Sequence, residues 1–273
     1  MDKKLKLSII IVNYNARNYL KDCISSIKKN VNSDIFEIIL VDNDSSDGSV
    51  EYIQEQFPEI DIISHNKNVG YGVGNNRGIK KSKGKYILFL NPDTIVFDEA
   101  IHFLLKELEN NQKVGAVGPA LYKGKNKYQI SFGKKVNFIF EVFQKCFFNL
   151  YYKLKLKHFS AKREVGWLSG ACLMVRKNIL DDIGYFDEQF FLYFEDIDLC
   201  YRIREKGWKL YYLPGAKVFH EEGASTSLLN LASRYEYRKS QIYFYKKHNS
   251  KLSLILLQCY LFLSSLLQKL LKF

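Results

Sequence analysis

Carboxylates and carboxamides end several apolar runs of this chain. The run Tyr86–Leu90 stops at Asn91-Pro92-Asp93. Its length suits a strand buried on both faces, of the kind found in parallel sheets. Pro92 withdraws a backbone donor and stops the ladder, so Asp93 lies just past the strand's carboxyl end. Open α/β sheets bind ligands in that crevice, and an acid there can hold a divalent cation on a phosphate. Asn-Pro-Asp is equally a combination that builds a turn. Phe36–Val41 ends the same way, at Asp42-Asn43-Asp44. A carboxylate at that place can accept from a nucleobase N–H or a ribose hydroxyl, the competing role being an Asx turn. Asp47 suits the cap of a helix starting near Ser49, whereas Asp42 leaves the strand directly and is favoured for binding.

Three further stretches carry chemistry. Asn68-Val-Gly70-Tyr-Gly72-Val-Gly74-Asn-Asn76 is a glycine-rich loop whose N–H groups could approach a diphosphate. It lacks the Gly-Lys-Ser/Thr of a P-loop and the dinucleotide spacing, so it is also readable as a plain turn. Glu195, Asp196 and Asp198 crowd a helix start. The helix dipole favours acids there, and a carboxylate facing a pocket can serve as a general base. His220 follows a strand and precedes Glu221-Glu222-Gly223, a position open to a ligand or to a structural histidine.

The elements that must position these residues alternate. Leu7–Val12, Phe36–Val41, Ile60–Ser64 and Tyr86–Leu90 read as strands. Helical spacing of apolar residues predicts helices over Asn18–Asn30, from Ser49 to Phe57, and in a short stretch to Lys83. That alternation is the signature of a parallel sheet with right-handed crossovers. Further on, Ala100–Glu109 reads as helix and Val114–Ala120 as strand. Lys123–Arg163 is basic and aromatic without a clear period, and Val165–Val175 reads as one strand. A helix follows Tyr193 and is capped by Gly207. Lys209–Leu213 and Ala216–Val218 read as short strands delivering His220, and Arg234–Phe273 as helical.

At 273 residues, 47% hydrophobic and 15% aromatic, the chain buries a large core and is not a disordered segment. Five scattered cysteines without a Cys-x-x-Cys pair suit reduced thiols rather than a disulfide framework or zinc site. No export signal is evident, because Leu7–Val12 is too short for a secretory apolar core. The formal net charge is +12, compatible with nucleic acid, an anionic membrane surface or a phosphorylated substrate. No nucleic-acid-binding signature accompanies the lysines, which favours the membrane.

Taken together, the motifs are more specific than any one of them. They run Val-Asn-Tyr14-Asn15, Val-Asp42-Asn43-x-Ser-x-Asp-Gly-Ser, Asn68-x-Gly70 with a later Asn76-x-Gly, and Asn91-Pro-Asp93. Ser169-Gly170-Ala171, Phe-Asp-Glu at 186–188, Glu195-Asp196-Ile-Asp-Leu and His220-x-x-Gly-x-Ser follow. In this order they resemble glycosyltransferase family 2, from about Leu7 to Thr226, and within it the rhamnosyltransferase-like branch that builds bacterial surface polysaccharides.

The resemblance implies an α/β fold of GT-A type: a Rossmann-like, mostly parallel central sheet with flanking helices, plus a C-terminal helical tail. Residues 1–227 would form that domain, 1–120 the nucleotide-sugar half and 121–227 the acceptor half, with 228–273 a membrane-association segment. It implies that Tyr14, Asn15, Asp42, Asn43, Asn68, Gly70, Asn76 and Asn91 bind the nucleotide-sugar. Asp93 and His220 would hold Mg2+ or Mn2+, and Asp196 would be the catalytic base. Ser169, Gly170, Ala171 and Glu195 would line the pocket between acceptor and donor. Asn91 stands where many relatives carry a first Asp, leaving one carboxylate for the metal. The Gln-x-x-Arg-Trp motif of processive synthases is absent, which speaks for adding a single sugar.

The implied reaction is an inverting transfer from a dTDP- or UDP-linked sugar to a lipid-diphosphate-linked glycan acceptor, at the cytoplasmic face of a bacterial membrane. dTDP-rhamnose leads among donors, with UDP-hexoses behind. Nucleic acid is not an expected partner. Leu252–Leu267 is apolar, flanked by Lys246, Lys247, Lys251, Lys269 and Lys272, and too short to span a bilayer. It fits an interfacial helix on anionic lipid, the alternative being a helix packed on the domain or at a homodimer interface. The rival functions are a nucleotidyltransferase, for which Leu7–Asn15 lacks the glycine-rich basic loop, and a catalytically silent scaffold of polysaccharide assembly.

Overall fold

The computed structural model describes residues 5–30, 35–124, 127–147, 159–221 and 231–270. Its first half runs β1 (Leu7–Asn13), α1 (Arg17–Asn30), β2 (Phe36–Asp42), α2 (Ser49–Gln56), β3 (Asp61–Ser64), α3 (Tyr71–Lys81) and β4 (Tyr86–Leu90). β5 (Thr94–Val96), α4 (Ala100–Asn110) and β6 (Val114–Lys123) follow. The second half has β7 (Lys127–Tyr128), β8 (Phe132–Gly133), α5 (Phe138–Cys146), β9 (Arg163–Val165), β10 (Trp167–Leu168) and β11 (Cys172–Arg176). Then come α6 (Lys177–Ile183), α7 (Glu195–Glu205), β12 (Lys209–His220), α8 (Leu231–His248) and α9 (Lys251–Leu270).

The main sheet has the order β3-β2-β1-β4-β11-β6-β12-β5. Six of those eight strands share one direction; β11 and β5 run against them. Every residue of β1 and β4 is buried, as expected of strands covered on both faces. On one face α1 packs Leu20, Cys23, Ile24 and Ile27, and α4 packs Ile101, Leu104, Leu105 and Leu108, against Leu7, Ile9, Ile11 and Leu88. On the other, Ile79 of α3, Ile179 and Leu180 of α6, and Leu199 and Ile203 of α7 meet Ile10, Phe89 and Val175. Each such side chain contributes about 1.5–3 kcal/mol through burial. The fold is therefore α/β, with helices on both faces of a mostly parallel sheet.

Several boundaries differ from the sequence reading. The expected single strand 165–175 is interrupted: Gly166 separates β9 from β10, and the turn Ser169-Gly170-Ala171 separates β10 from β11. A Cβ on Gly166 would overlap the Lys134 carbonyl, so the chain must pass close to β8 there. The two short strands expected before His220 are one strand, β12, with a register shift between Leu213 and Lys217 that absorbs Pro214 and Gly215. β5, absent from the sequence reading, pairs with the end of β12 and sets Thr94 opposite His220. The expected C-terminal helix is two helices, broken at Asn249-Ser250.

Two features of this architecture position the site. β11 pairs antiparallel with β4, Cys172 opposite Leu90, so the 169–171 turn falls beside the end of β4. The Asn91 N–H then donates to the Ala171 carbonyl at 3.0 Å. At the other edge, α8 and α9 bring Phe244, Tyr245 and Leu257 onto Phe190 and Phe194 in a separate apolar cluster. The boundary expected at 227/228 lies outside the described residues.

Candidate active site

A cavity of about 640 Å³ opens at the carboxyl ends of β1, β2 and β4. Tyr14, Asn43, Asn68, Gly70, Asn91–Asp93, Trp167, Ser169–Ala171, residues 191–197 and His220 line it. It therefore gathers most of the residues picked from the sequence.

Asp93 and His220 arrive from different strands. His220 ends β12, and Asp93 follows β4 by way of Pro92; the Glu221 N–H donates to the Asp93 carbonyl at 3.1 Å. His220 Nε2 stands 3.3 Å from Asp93 Oδ1 and 3.3 Å from Asn91 Nδ2. The other ring nitrogen, Nδ1, meets Gln129 Oε1 at 2.9 Å. A carboxamide oxygen only accepts, so Nδ1 turns its N–H toward Gln129, and Nε2 faces Asp93 and Asn91. Nε2 and the Asp93 carboxylate oxygen stand close enough for both to contact one cation. The donor set, one carboxylate oxygen and one imidazole nitrogen, thus fits Mg2+ or Mn2+, the imidazole favouring Mn2+. No cluster of three or more His, Cys, Asp or Glu suited to a metal exists among the described residues, so phosphate oxygens and water would complete its shell.

Asp196 and Glu195 open α7 opposite that pair. Asp196 Oδ2 accepts from the Gly170 N–H at 2.7 Å, and Oδ1 from the Ile197 N–H at 2.8 Å. Glu195 is buried, and its Oε2 has no hydrogen-bond partner among the described residues. Burial first, then the neighbouring Asp196 carboxylate, pushes Glu195 well above the ordinary glutamate range. Burial raises Asp196 as well, but N–H groups from Gly170, Ile197 and its own backbone pull it back. Both carboxyls are raised, and Glu195 is pushed further toward its protonated form than Asp196.

Asn43 is buried at the end of β2 and lines the cavity. Its Nδ2 donates to the Gly70 carbonyl at 3.0 Å, while Oδ1 has no hydrogen-bond partner among the described residues. Asn68 Oδ1 accepts the Gly70 N–H at 3.0 Å. Gly70 has φ 86°, and a Cβ there would stand 2.4 Å from the Phe191 carbonyl oxygen, so only glycine fits this approach. Ser169 accepts the Ala171 N–H at 3.3 Å, and Tyr71 donates to the Gly170 carbonyl at 2.8 Å, holding the turn in shape.

Three residues expected at the nucleotide-sugar do not line the cavity. Asp42 is buried, accepting from Asn13 Nδ2 at 2.7 Å and the Ser45 N–H at 2.9 Å. It acts as the Asx-type turn that was its alternative role. Asn15 takes a left-handed φ of 50° and accepts the Ser46 N–H at 2.8 Å, stapling two loops. Asn76 donates to the Phe186 carbonyl at 3.0 Å and accepts the Phe186 N–H at 2.9 Å, anchoring the 186–188 stretch to α3. Of the His-x-x-Gly-x-Ser run, Gly223 and Ser225 lie outside the described residues.

The third acid of α7 has another task. Asp198 is fully buried and meets Arg202 at 2.8 Å, Lys247 at 2.7 Å and His248 at 2.7 Å. Burial alone would raise it, yet His248, Arg202 and Lys247 outweigh that and hold it at about 2. Lys247 also reaches Asp187 at 2.6 Å, so α8 is pinned to α7 and to the preceding loop. Gln129, Trp167, Tyr193 and Tyr237 line the cavity without having been singled out in the sequence.

The family model for glycosyl transferase family 2 matches residues 8–184. An N-acetylglucosaminyl-diphospho-decaprenol L-rhamnosyltransferase of Mycobacterium tuberculosis is 27% identical over 240 residues, 81% of this chain and 77% of that protein. Rhamnosyltransferase WbbL of Escherichia coli K12 is 28% identical over 221 residues, covering 78% and 82% respectively. The solved structure of GalNAc-T7 with UDP, GalNAc and Mn2+ aligns with TM-score 0.61 at 16% identity. It covers 79% of this chain, which spans 44% of the GalNAc-T7 chain, and at that identity it speaks for the fold alone. Cavity, strand order and family match agree, and the chain belongs to glycosyl transferase family 2, a glycosyltransferase of GT-A fold.

Proposed function

We propose that this glycosyltransferase moves one sugar, with inversion, from a nucleotide-sugar to a lipid-diphosphate-linked glycan in bacterial surface polysaccharide synthesis. The observation that carries the reading is that Asp93, His220 and Asp196 line one cavity. The M. tuberculosis relative is named for a GlcNAc-diphospho-decaprenol substrate and for rhamnose, which supports a lipid-linked acceptor and puts dTDP-rhamnose ahead of UDP-hexoses.

In this reading Tyr14 and Asn43 receive the nucleotide, the free Asn43 Oδ1 accepting from a base N–H, while Asn68 and Gly70 shape the loop against it. Asp93 and His220 would hold Mg2+ or Mn2+, which when bound would supply positive charge against the growing charge of the departing nucleoside diphosphate. An acceptor hydroxyl attacks the anomeric carbon from the Asp196 side, and the bond to the diphosphate oxygen breaks. The hydroxyl proton passes to Asp196, whose carboxylate is held in place by Gly170 and Ile197. Protonated Glu195 can donate a hydrogen bond to a sugar oxygen without adding negative charge beside the base.

The reading places the enzyme on the cytoplasmic face of the membrane. No helix among the described residues is long and apolar enough to cross a bilayer. α9 instead buries Leu257 and leaves Leu252, Ile255, Leu256, Phe262, Leu263 and Leu266 exposed, a stripe at helical spacing. Exposed Lys246 and Lys251 stand at its start, and α5 adds exposed Ile139 and Phe143 beside it. An apolar stripe edged by lysines suits an anionic lipid surface better than the dry core of a homodimer.

A thermal-shift screen of dTDP- and UDP-sugars with Mg2+ or Mn2+, followed by assay of nucleoside diphosphate release, tests the function. A metal-dependent rise in melting temperature and release with at least one donor are expected. Binding of no nucleotide-sugar under either metal would overturn it.

A further inference from the structure

Aromatic residues line much of the cavity, and one of them comes from α8. Tyr237 of α8 lines the cavity and remains 38% exposed. Its ring centroid lies 5.5 Å from that of Tyr193, at an interplanar angle of 64°, and 5.3 Å from that of Phe194, at 58°. Tyr193 and Phe194 immediately precede Glu195 and Asp196, and both hold left-handed backbone, with φ of 70° and 69°. Bulky residues stay in that region only where their surroundings over-determine it, and such strain gathers at ligand sites.

The over-determination comes from α8. Ser240 Oγ donates to the Leu192 carbonyl at 2.8 Å, and Phe244 packs 5.4 Å from Phe194. One turn on, Lys247 and His248 close on Asp198. The same helix that bends Tyr193 and Phe194 into place thus delivers Tyr237 beside them.

We infer that Tyr193 and Tyr237 form the subsite for the acceptor's terminal sugar ring, and that α8 is a working part of the active site. The inference rests on Asp196 being the base. A pyranose has an apolar C–H face and a polar hydroxyl edge. Aromatic rings take the first, and a carboxylate takes the second, so a platform next to Asp196 presents a hydroxyl to it. The nucleotide belongs where Asn43 and Tyr14 line the cavity at the strand ends.

The test uses the full chain, methyl pyranosides of N-acetylglucosamine, glucose, galactose and rhamnose, and ligand-observed NMR in the presence of UDP or dTDP with Mg2+. At least one glycoside binds the wild type. Tyr237→Ala and Tyr193→Ala weaken it by about tenfold, the scale of one lost aromatic contact, while Tyr237→Phe retains it. Nucleotide affinity, measured in parallel by calorimetry, stays at the wild-type value in all three. If an alanine variant does not fold, leucine, which keeps bulk without a π face, takes its place. The inference is overturned if the wild type binds no glycoside, if the alanine variants bind it equally well, or if nucleotide affinity falls in step. A wild type that binds glycoside but no nucleotide would sink the donor reading and leave the subsite standing.

Discussion

The Gly170 N–H donates to Asp196 Oδ2 at 2.7 Å, and a Cβ on Gly170 would stand 3.1 Å from the Asp196 Cβ. The turn between β10 and β11 therefore sets both the direction and the clearance of the proposed base. Asp196→Asn should keep nucleotide-sugar binding and lose transfer by about 10²–10⁴-fold, the usual worth of a general base. Gly170→Ala should lower kcat with little change in donor affinity, since the added methyl displaces the carboxylate and leaves the strand ends alone. Steady-state kinetics with binding by thermal shift separates the two effects; normal turnover in Asp196→Asn would remove Asp196 from the role.

Gln129 orients the His220 ring through the 2.9 Å contact to Nδ1. Gln129→Leu should raise the Mn2+ concentration needed for half-maximal activity by about 10–100-fold, as loss of such an outer partner does at other metal sites. Activity at saturating Mn2+ should largely return. A metal titration unchanged from wild type would show that His220 needs no such partner.

Glu195 predicts a pH-dependent stability. Its folded pKa is raised above the ordinary 4.5, so its contribution to stability is full below 4.5 and is lost as pH rises through the folded value. Glu195→Gln removes that loss. The melting temperature of the variant relative to wild type should therefore climb between pH 5 and pH 8, by about 2–4 °C for each kcal/mol recovered. A gap that is flat or shrinks with pH would place the proton elsewhere.

Ile255 and Phe262 are 53% and 64% exposed on α9, so charges there leave the packed face untouched. Ile255→Glu with Phe262→Glu should cut binding to phosphatidylglycerol vesicles by about tenfold or more, given the worth of burying each side chain. Co-sedimentation measures it. Unchanged pelleting, or a dimer that dissociates in the variant, would assign the stripe to another surface.

The parallel half of the fold was legible because β1 and β4 are dominated by apolar residues and α1 repeats its buried residues at helical spacing. Asp93, Asp196 and His220 were legible as acids and a histidine just beyond apolar runs or at a helix start. Asp42, Asn15 and Asn76 were picked by residue type too, yet their side chains bond Asn13, Ser45, Ser46 and Phe186. Residue type beside a strand end does not separate these uses; only the three-dimensional partner does. Gln129, Trp167, Tyr193 and Tyr237 were hidden for a related reason. They lie just after or on a two-residue strand, in a strained loop, or on a helix distant in sequence, where no period marks them. The antiparallel entry of β11 between β4 and β6 was likewise invisible, because full burial reads the same in either direction.

Asp198 shares a helix with Asp196 but finds Lys247 and His248 only some fifty residues later in the chain. During synthesis, the strands β1 to β4 have their pairing partners well before the end of translation, whereas Asp198 is a buried acid missing two of its partners until residue 248 leaves the ribosome. A chain ended before Lys247 would thus keep those strands but leave the helix bearing the proposed base with its buried acid Asp198 short of two of its partners.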